Sequence, residues 1–160
     1  MLRRLIVVAV LAAPWAAWAA VCDSPAELSA RQVRQVQVEA MVAALKCQGT
    51  GADVRGLYGE FLHRSNAALN QNAAELRALF ARRGKGAAAV DRYMTELSNE
   101  AQLRSSHIDD YCGVSTRRLE ELADLAPARL PAFAAAAIGM PYDGDPCPVV
   151  AAKPKHKAKP

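Results

Sequence analysis

Residues 87–125 read AAAVDRYMTELSNEAQLRSSHIDDYCGVSTRRLEELADL, and their pattern decides the fold class of the chain. Ten positions, all apolar except two, recur at intervals of three or four residues: Val90, Met94, Leu97, Ala101, Arg104, Ile108, Cys112, Ser115, Leu119 and Leu122. Residues spaced in this way lie on one face of an α-helix. We therefore predict one long helix over 87–125. A break at Ser105-Ser106 or at Gly113 is the alternative, but the phase of the pattern changes at neither site.

A clear helix start lies near the beginning of the mature chain. Ser24 and Glu27 have the spacing of a capping box, and Pro25 stands at the first helical position. The two side chains of such a box accept hydrogen bonds from backbone N–H groups that lack a helical partner, and proline has no N–H to satisfy there. We predict a first helix that runs to about Cys47, where glycines at 49 and 51 end it.

Further start signals divide the residues between this helix and residue 87. Asp53 can cap a second helix, whose apolar residues repeat at helical spacing. Asn72 and Glu75 form another pair with capping-box spacing. We therefore predict a break near 70–72 and a third helix from 73 to about 83. A short last helix is expected near residues 130–138.

These patterns predict an all-α fold, a small disulfide-stapled bundle of four to five helices with one long helix in its C-terminal half. We divide the chain into a signal peptide at 1–19, a helical domain at 20–140 and a Pro/Lys-rich extended tail at 141–160 that contains Cys147. The last eight residues, KPKHKAKP, are of low complexity. Such a composition buries no apolar surface, so we expect a disordered basic tail.

The first residues have the features of an export signal. Arg3 and Arg4 precede a short apolar run at 5–13, and Ala17-Trp18-Ala19 offers small residues where a signal peptidase cleaves. The apolar run is too short to span a bilayer comfortably. We predict cleavage after Ala19, no stable membrane span in the mature chain, and a periplasmic or secreted location.

The net charge of +4 belongs to the ends of the chain and not to its body. Six of the twenty basic residues lie among the first four and the last eight residues, which leaves fourteen basic against sixteen acidic residues in between. Proteins that bind nucleic acid carry a basic patch, often interleaved with aromatic residues. We therefore predict no nucleic-acid partner.

Four cysteines form an even set, and in an exported chain disulfides are the default. None lies in a C-x-x-C unit, so thioredoxin-type chemistry, haem attachment and a zinc ribbon lack their spacing. Four cysteines allow three pairings. The economical one joins Cys47 at the end of the first helix to Cys112, and Cys22 to Cys147, which ties the two ends together.

The candidate ligand site is centred on Arg104, the one charged residue in the apolar pattern of residues 87–125. Glu100 and His107 lie one turn away on either side, and we predict a polar or ligand-binding site at Arg104, Glu100 and His107. Arg104 could instead line an internal pocket reached by Glu39, Gln35 or Asn99, or simply form an ion pair with Glu100. His107 belongs to neither a Glu-x-x-His nor a His-x-x-x-His motif, so no metal site and no cofactor are expected.

Three segments carry a resemblance to known proteins. RQVR at 31–34, MVAALKC at 41–47, and ELSNE at 96–100 ahead of Tyr111-Cys112 are similar to a group of small exported bacterial helical proteins of unassigned function. The resemblance covers about residues 28–125. It implies a helical, cysteine-containing fold but no activity, cofactor or catalytic residue.

The leading hypothesis is an exported, non-enzymatic binding or interaction module of the bacterial cell envelope. Its partner would be a protein or an anionic envelope component, which the lysine-rich tail could attract. The first alternative is a periplasmic chaperone or stress protein that uses an exposed apolar face. The second is a metal- or thiol-dependent enzyme, for which no catalytic set of residues is present in the sequence pattern.

Overall fold

The computed structural model describes residues 22–148, and this part of the chain folds as a helical bundle. It contains five α-helices: α1 (Pro25–Lys46), α2 (Val54–Arg82), α3 (Ala87–Ser105), α4 (Tyr111–Asp124) and α5 (Leu130–Ile138). A single 3-10 turn, Pro127–Arg129, leads into α5. Two disulfides staple the helices, so the predicted all-α, disulfide-stapled bundle is confirmed.

The central element is α1, which contacts each of the other four α-helices. Val36, Ala40 and Ala43 face a core shared with α2, α4 and α5. Val38 and Val42, on another side of α1, face a second core shared with α2 and α3. A helix that is buried on two sides needs apolar residues around most of its circumference, and the small side chains of α1 let its neighbours approach closely.

The predicted long helix over 87–125 is wrong, because residues 106–110 are not helical and separate α3 from α4. Asp110 adopts a left-handed conformation with φ of 49°, and its carboxylate accepts a hydrogen bond from Gly113 N at 3.3 Å. This side chain caps α4 and starts a new helix. The apolar pattern keeps its phase across the break because both helices bury that face against α1.

The predicted break near residues 70–72 is also wrong, since α2 continues through it. Asn72 is buried in the middle of α2, and its Nδ2 donates to the Ala30 carbonyl oxygen of α1 at 2.7 Å. Its amide therefore bonds to the neighbouring helix instead of capping a new one. From sequence alone, an Asn inside a helix looks like a helix cap, because its hydrogen-bond partner on another helix is not known.

The predicted cysteine pairing is confirmed. Cys47 at the end of α1 bonds to Cys112 in the first turn of α4, and Cys22 bonds to Cys147. The two bonds close loops with sequence separations of 65 and 125 residues. In the chain-entropy model such loops stabilise the fold by about 4.3 and about 4.9 kcal/mol, as upper estimates.

Residues 141–148, which the sequence assigns to the tail, lie against the bundle. Pro146 pairs with Asp23 in an isolated parallel bridge, and Cys147 N donates to Asp23 O at 3.0 Å. Tyr142 N donates to the Gln35 side-chain oxygen of α1 at 2.8 Å. The chain thus returns to its own beginning. The predicted signal peptide and the lysine-rich end at 153–160 lie outside the described residues.

Candidate functional site

A pocket of about 220 Å³ opens between α1, α3, α4 and α5. Its apolar floor includes four small residues, Ala40 and Ala43 of α1, Ala101 of α3 and Ala137 of α5. Leu119 and Leu122 of α4 and Ile138 of α5 complete this apolar lining. Where alanines meet across three helices, the side chains do not fill the space between the backbones, and a cavity remains. The same small residues that let the helices approach α1 therefore also create the pocket.

A carboxylate with two arginines forms the charged wall of the pocket. Arg104 Nη2 lies 2.9 Å from Glu39 Oε1, and Arg118 Nη1 donates to Glu39 Oε2 at 3.1 Å. Gln35 Nε2 also donates to Glu39 Oε1, at 2.9 Å. Glu39 is 18% exposed, whereas the arginines are 42% and 38% exposed. Each guanidinium has five N–H donors, so donors remain free after the contact with Glu39.

Hydroxyl groups border the same wall. Ser105, at the end of α3, accepts a hydrogen bond from Lys46 Nζ at 2.8 Å. Tyr111 and Ser115 of α4 also line the pocket. Burial raises the pKa of the Tyr111 hydroxyl, the nearby Glu39 carboxylate adds to the rise, and a hydrogen bond with Ser115 works against it. Tyr111 therefore stays protonated at neutral pH.

The mouth of the pocket is apolar. Ile108, in the turn between α3 and α4, is 47% exposed, and Val114 in the first turn of α4 is 38% exposed. Both line the pocket. The apolar lining of the pocket therefore extends to the solvent at these two residues. The break between α3 and α4 places them there, since residues 106–110 form part of the rim.

The structure brings only one of the three predicted site residues into the pocket. Arg104 lines it, and Glu39 and Gln35, two of the partners expected for an internal pocket, lie beside it. Glu100 is a secondary partner, with its Oε1 3.9 Å from Arg104 Nε. His107 is exposed, and its Nδ1 lies 2.9 Å from the carbonyl oxygen of Leu103 at the end of α3.

Sequence reasoning missed Arg118, the second arginine of the pocket. It lies directly before Leu119, one position outside the apolar pattern, so it reads as a solvent-exposed charge. The available signal was Glu39, a lone carboxylate beside the apolar stripe of α1. A carboxylate at the edge of a buried stripe needs a cationic partner.

No protein-family model, curated protein or solved structure matches this chain. The two disulfides indicate an oxidising, extracytoplasmic environment. Between residues 22 and 148, no helix is both long enough and apolar enough to cross a membrane. The same residues contain no cluster of three or more metal-ligating side chains, and all four cysteines are in disulfides. The pocket is therefore the main guide to function.

Proposed function

We propose that this protein is an exported, non-enzymatic binding module of the bacterial cell envelope, which holds a small ligand in the pocket between α1, α3, α4 and α5. The observation that carries the proposal is the apolar pocket with two partly exposed apolar residues, Ile108 and Val114, at its mouth. The export signal expected at residues 1–19 and the two disulfides agree with a periplasmic or secreted location.

The volume limits the size of the ligand. About 220 Å³ is more than the ~150 Å³ of an apolar cavity that binds one benzene molecule. A short alkyl chain or a single ring therefore fits this space. Burial of five or six CH₂ groups contributes about 4–5 kcal/mol, and the entropy lost on association reduces this gain, so we expect a dissociation constant of about 1 mM or weaker.

Binding of 1-hexanol to the full-length, oxidised protein tests this proposal, with backbone amide shifts in NMR spectra as the readout. We expect saturable shifts in α4 and at Ala101, and a dissociation constant of about 1 mM or weaker. Ala137→Phe fills the pocket and should abolish the shifts. Ala136→Phe is the matched control, because Ala136 is exposed and does not line the pocket. Equal binding by the two variants would overturn the proposal.

A second variant keeps the test independent of core packing. Val114→Trp places a large side chain across the mouth, at a residue that is already 38% exposed. It should weaken hexanol binding without lowering the melting temperature. Retention of full affinity in this folded variant would place the binding elsewhere.

The chaperone alternative is favoured by one observation, the large apolar side chains exposed on the described surface. These are Leu45, Leu103, Ile108, Val114 and Met140. A chaperone would suppress the aggregation of an unfolded client at near-equal amounts, and Leu103→Ser with Met140→Ser would reduce that effect. A small-ligand protein would show no such suppression, since its apolar pocket admits only a short group.

A further inference from the structure

We propose that the ligand of this pocket is an amphiphilic monoanion, a short apolar group that carries one carboxylate. This inference rests on the proposed function and deepens it, because it names the chemistry at each end of the ligand. The apolar group would lie on the alanine-lined floor. The carboxylate would lie against the guanidinium groups of Arg104 and Arg118.

The charge balance of the wall favours an anion over a cation. Glu39 carries the one carboxylate among the residues that line the pocket, and both Arg104 and Arg118 contact it. Lys46 adds a third positive charge behind Ser105, and Glu100 adds a second negative charge beside Arg104. The net charge of these five groups is about +1, and a monoanion neutralises it.

Donor geometry favours a carboxylate in particular. Arg104 and Arg118 come from different helices and converge on the two different oxygens of Glu39. Glu39 therefore positions both planar guanidinium groups at the edge of the pocket. Each guanidinium keeps further N–H donors that do not contact Glu39. Planar groups with paired donors match the two oxygens of a carboxylate.

The hydroxyl groups fit the same end of the ligand. Ser105, Tyr111 and Ser115 lie along the charged wall, and a protonated tyrosine hydroxyl can donate a hydrogen bond. The same pocket is also lined by apolar residues, among them Ala40, Ala43 and Ala137. The pocket thus presents both polar and apolar groups, which match the two ends of an amphiphile.

Three six-carbon probes with different heads test the inference on the full-length, oxidised protein: hexanoate, 1-hexanol and hexylammonium. We expect hexanoate to bind about fivefold or more tightly than 1-hexanol, and hexylammonium to bind least tightly. Arg118→Ala should remove most of the preference for hexanoate and change hexanol binding less than about twofold. Arg117→Ala is the matched control, since Arg117 is the exposed neighbour and does not line the pocket. Added salt should weaken hexanoate binding more than hexanol binding.

The outcomes separate this inference from the proposed function. In one outcome, hexanol and hexanoate bind equally well and Ala137→Phe abolishes the binding of both. That result would overturn the inference that the ligand is an anion, but it would leave the pocket as a binding site. A preference for hexylammonium, or a loss of hexanoate preference in Arg117→Ala equal to that in Arg118→Ala, would also overturn it. Failure of all three probes to bind would overturn the proposed function itself.

Discussion

Replacement of Asp23 by alanine should strongly destabilise the protein, although it leaves both disulfides in place. The Asp23 side chain is fully buried and accepts three hydrogen bonds. They come from Arg31 Nε at 3.3 Å, from Arg83 Nη2 at 2.6 Å and from the backbone N of Asp145 at 2.9 Å. This one carboxylate therefore joins α1, the end of α2 and the returning segment 141–148.

The size of the expected loss of stability follows from the burial of Arg31, the ion-pair partner of Asp23. Arg31 is 1% exposed, and its Cζ lies 5.7 Å from the Phe80 ring centroid and 5.2 Å from that of Tyr93. Asp143 lies 3.7 Å from Arg31 Nη1, but its side chain is 67% exposed. Removal of one partner of a buried ion pair costs about 3–5 kcal/mol, because the other charge stays buried without compensation. That is a large share of the roughly 5–15 kcal/mol by which a domain is stable.

Urea denaturation at pH 7 under oxidising conditions measures this loss. We expect Asp23→Ala to lower the free energy of unfolding by about 3–5 kcal/mol. Hydrogen exchange at Asp145 and Cys147 should speed up more than exchange in α2. Asp53→Ala is the matched control, because Asp53 caps α2 at an exposed position and its loss should cost about 1 kcal/mol. A cost for Asp23→Ala no greater than that of the control would refute the reasoning.

Two further predictions concern the N-terminal parts of α2 and of α1. Gly59→Ala should stabilise the protein by up to about 1 kcal/mol in thermal melts, since a Cβ at Gly59 meets nothing within 4 Å. Gly56→Ala should not, because its Cβ would lie 2.2 Å from Asp53 Oδ2 and would displace the carboxylate whose Oδ1 caps α2; equal gains at both glycines would contradict this. The pKa of Glu27 is lowered to about 2: burial opposes the shift, and hydrogen bonds from Ser24 and Arg82, with the charge of Arg82, outweigh it. A lowered pKa in the folded state stabilises the fold above pH 4.5, and this contribution is lost as the pH falls toward 2. The Arg82 side chain is 60% exposed, so Glu27→Gln should cost no more than about 1 kcal/mol at pH 6. The cost should fall by more than half at pH 2.5, and a cost that is the same at both pH values would argue against this.

Much of the fold could be predicted because its signals are local. The capping box at Ser24 and Glu27 forms as expected, with Ser24 N donating to Glu27 Oε2 at 2.8 Å. Asp53 caps α2 as expected. The cysteine pairing followed from Cys47 at the end of the first helix, Cys112 within the apolar pattern of residues 87–125, and Cys22 and Cys147 near the two ends of the mature chain.

The errors arose where a residue's partner lies far away in sequence. The phase of the pattern over 87–125 could not reveal the break, because α3 and α4 both pack on α1. The Asp110 cap is a local signal, three residues before Gly113, and it was not identified from the sequence. Asn72 was read as a cap, and only its bond to Ala30 in α1 explains its place inside α2.

The candidate site could be predicted only in part for the same reason. Arg104 was found because it interrupts an apolar pattern, which is visible in sequence. Its strongest partner, Glu39, lies 65 positions earlier, and Arg118 follows on a different helix. The burial of Arg31 was not expected, since a charged residue ordinarily indicates a solvated position.

The Cys22–Cys147 bond turns the folded chain into a covalent ring whose two exits lie side by side, with Cα atoms 4.8 Å apart. A force that pulls on the two ends passes through this bond and bypasses the helices. The bundle would thus remain mechanically unloaded while the bond is intact. A tether at either end would pull on the same point of the bundle, so the two attachments are mechanically equivalent for residues 22–147.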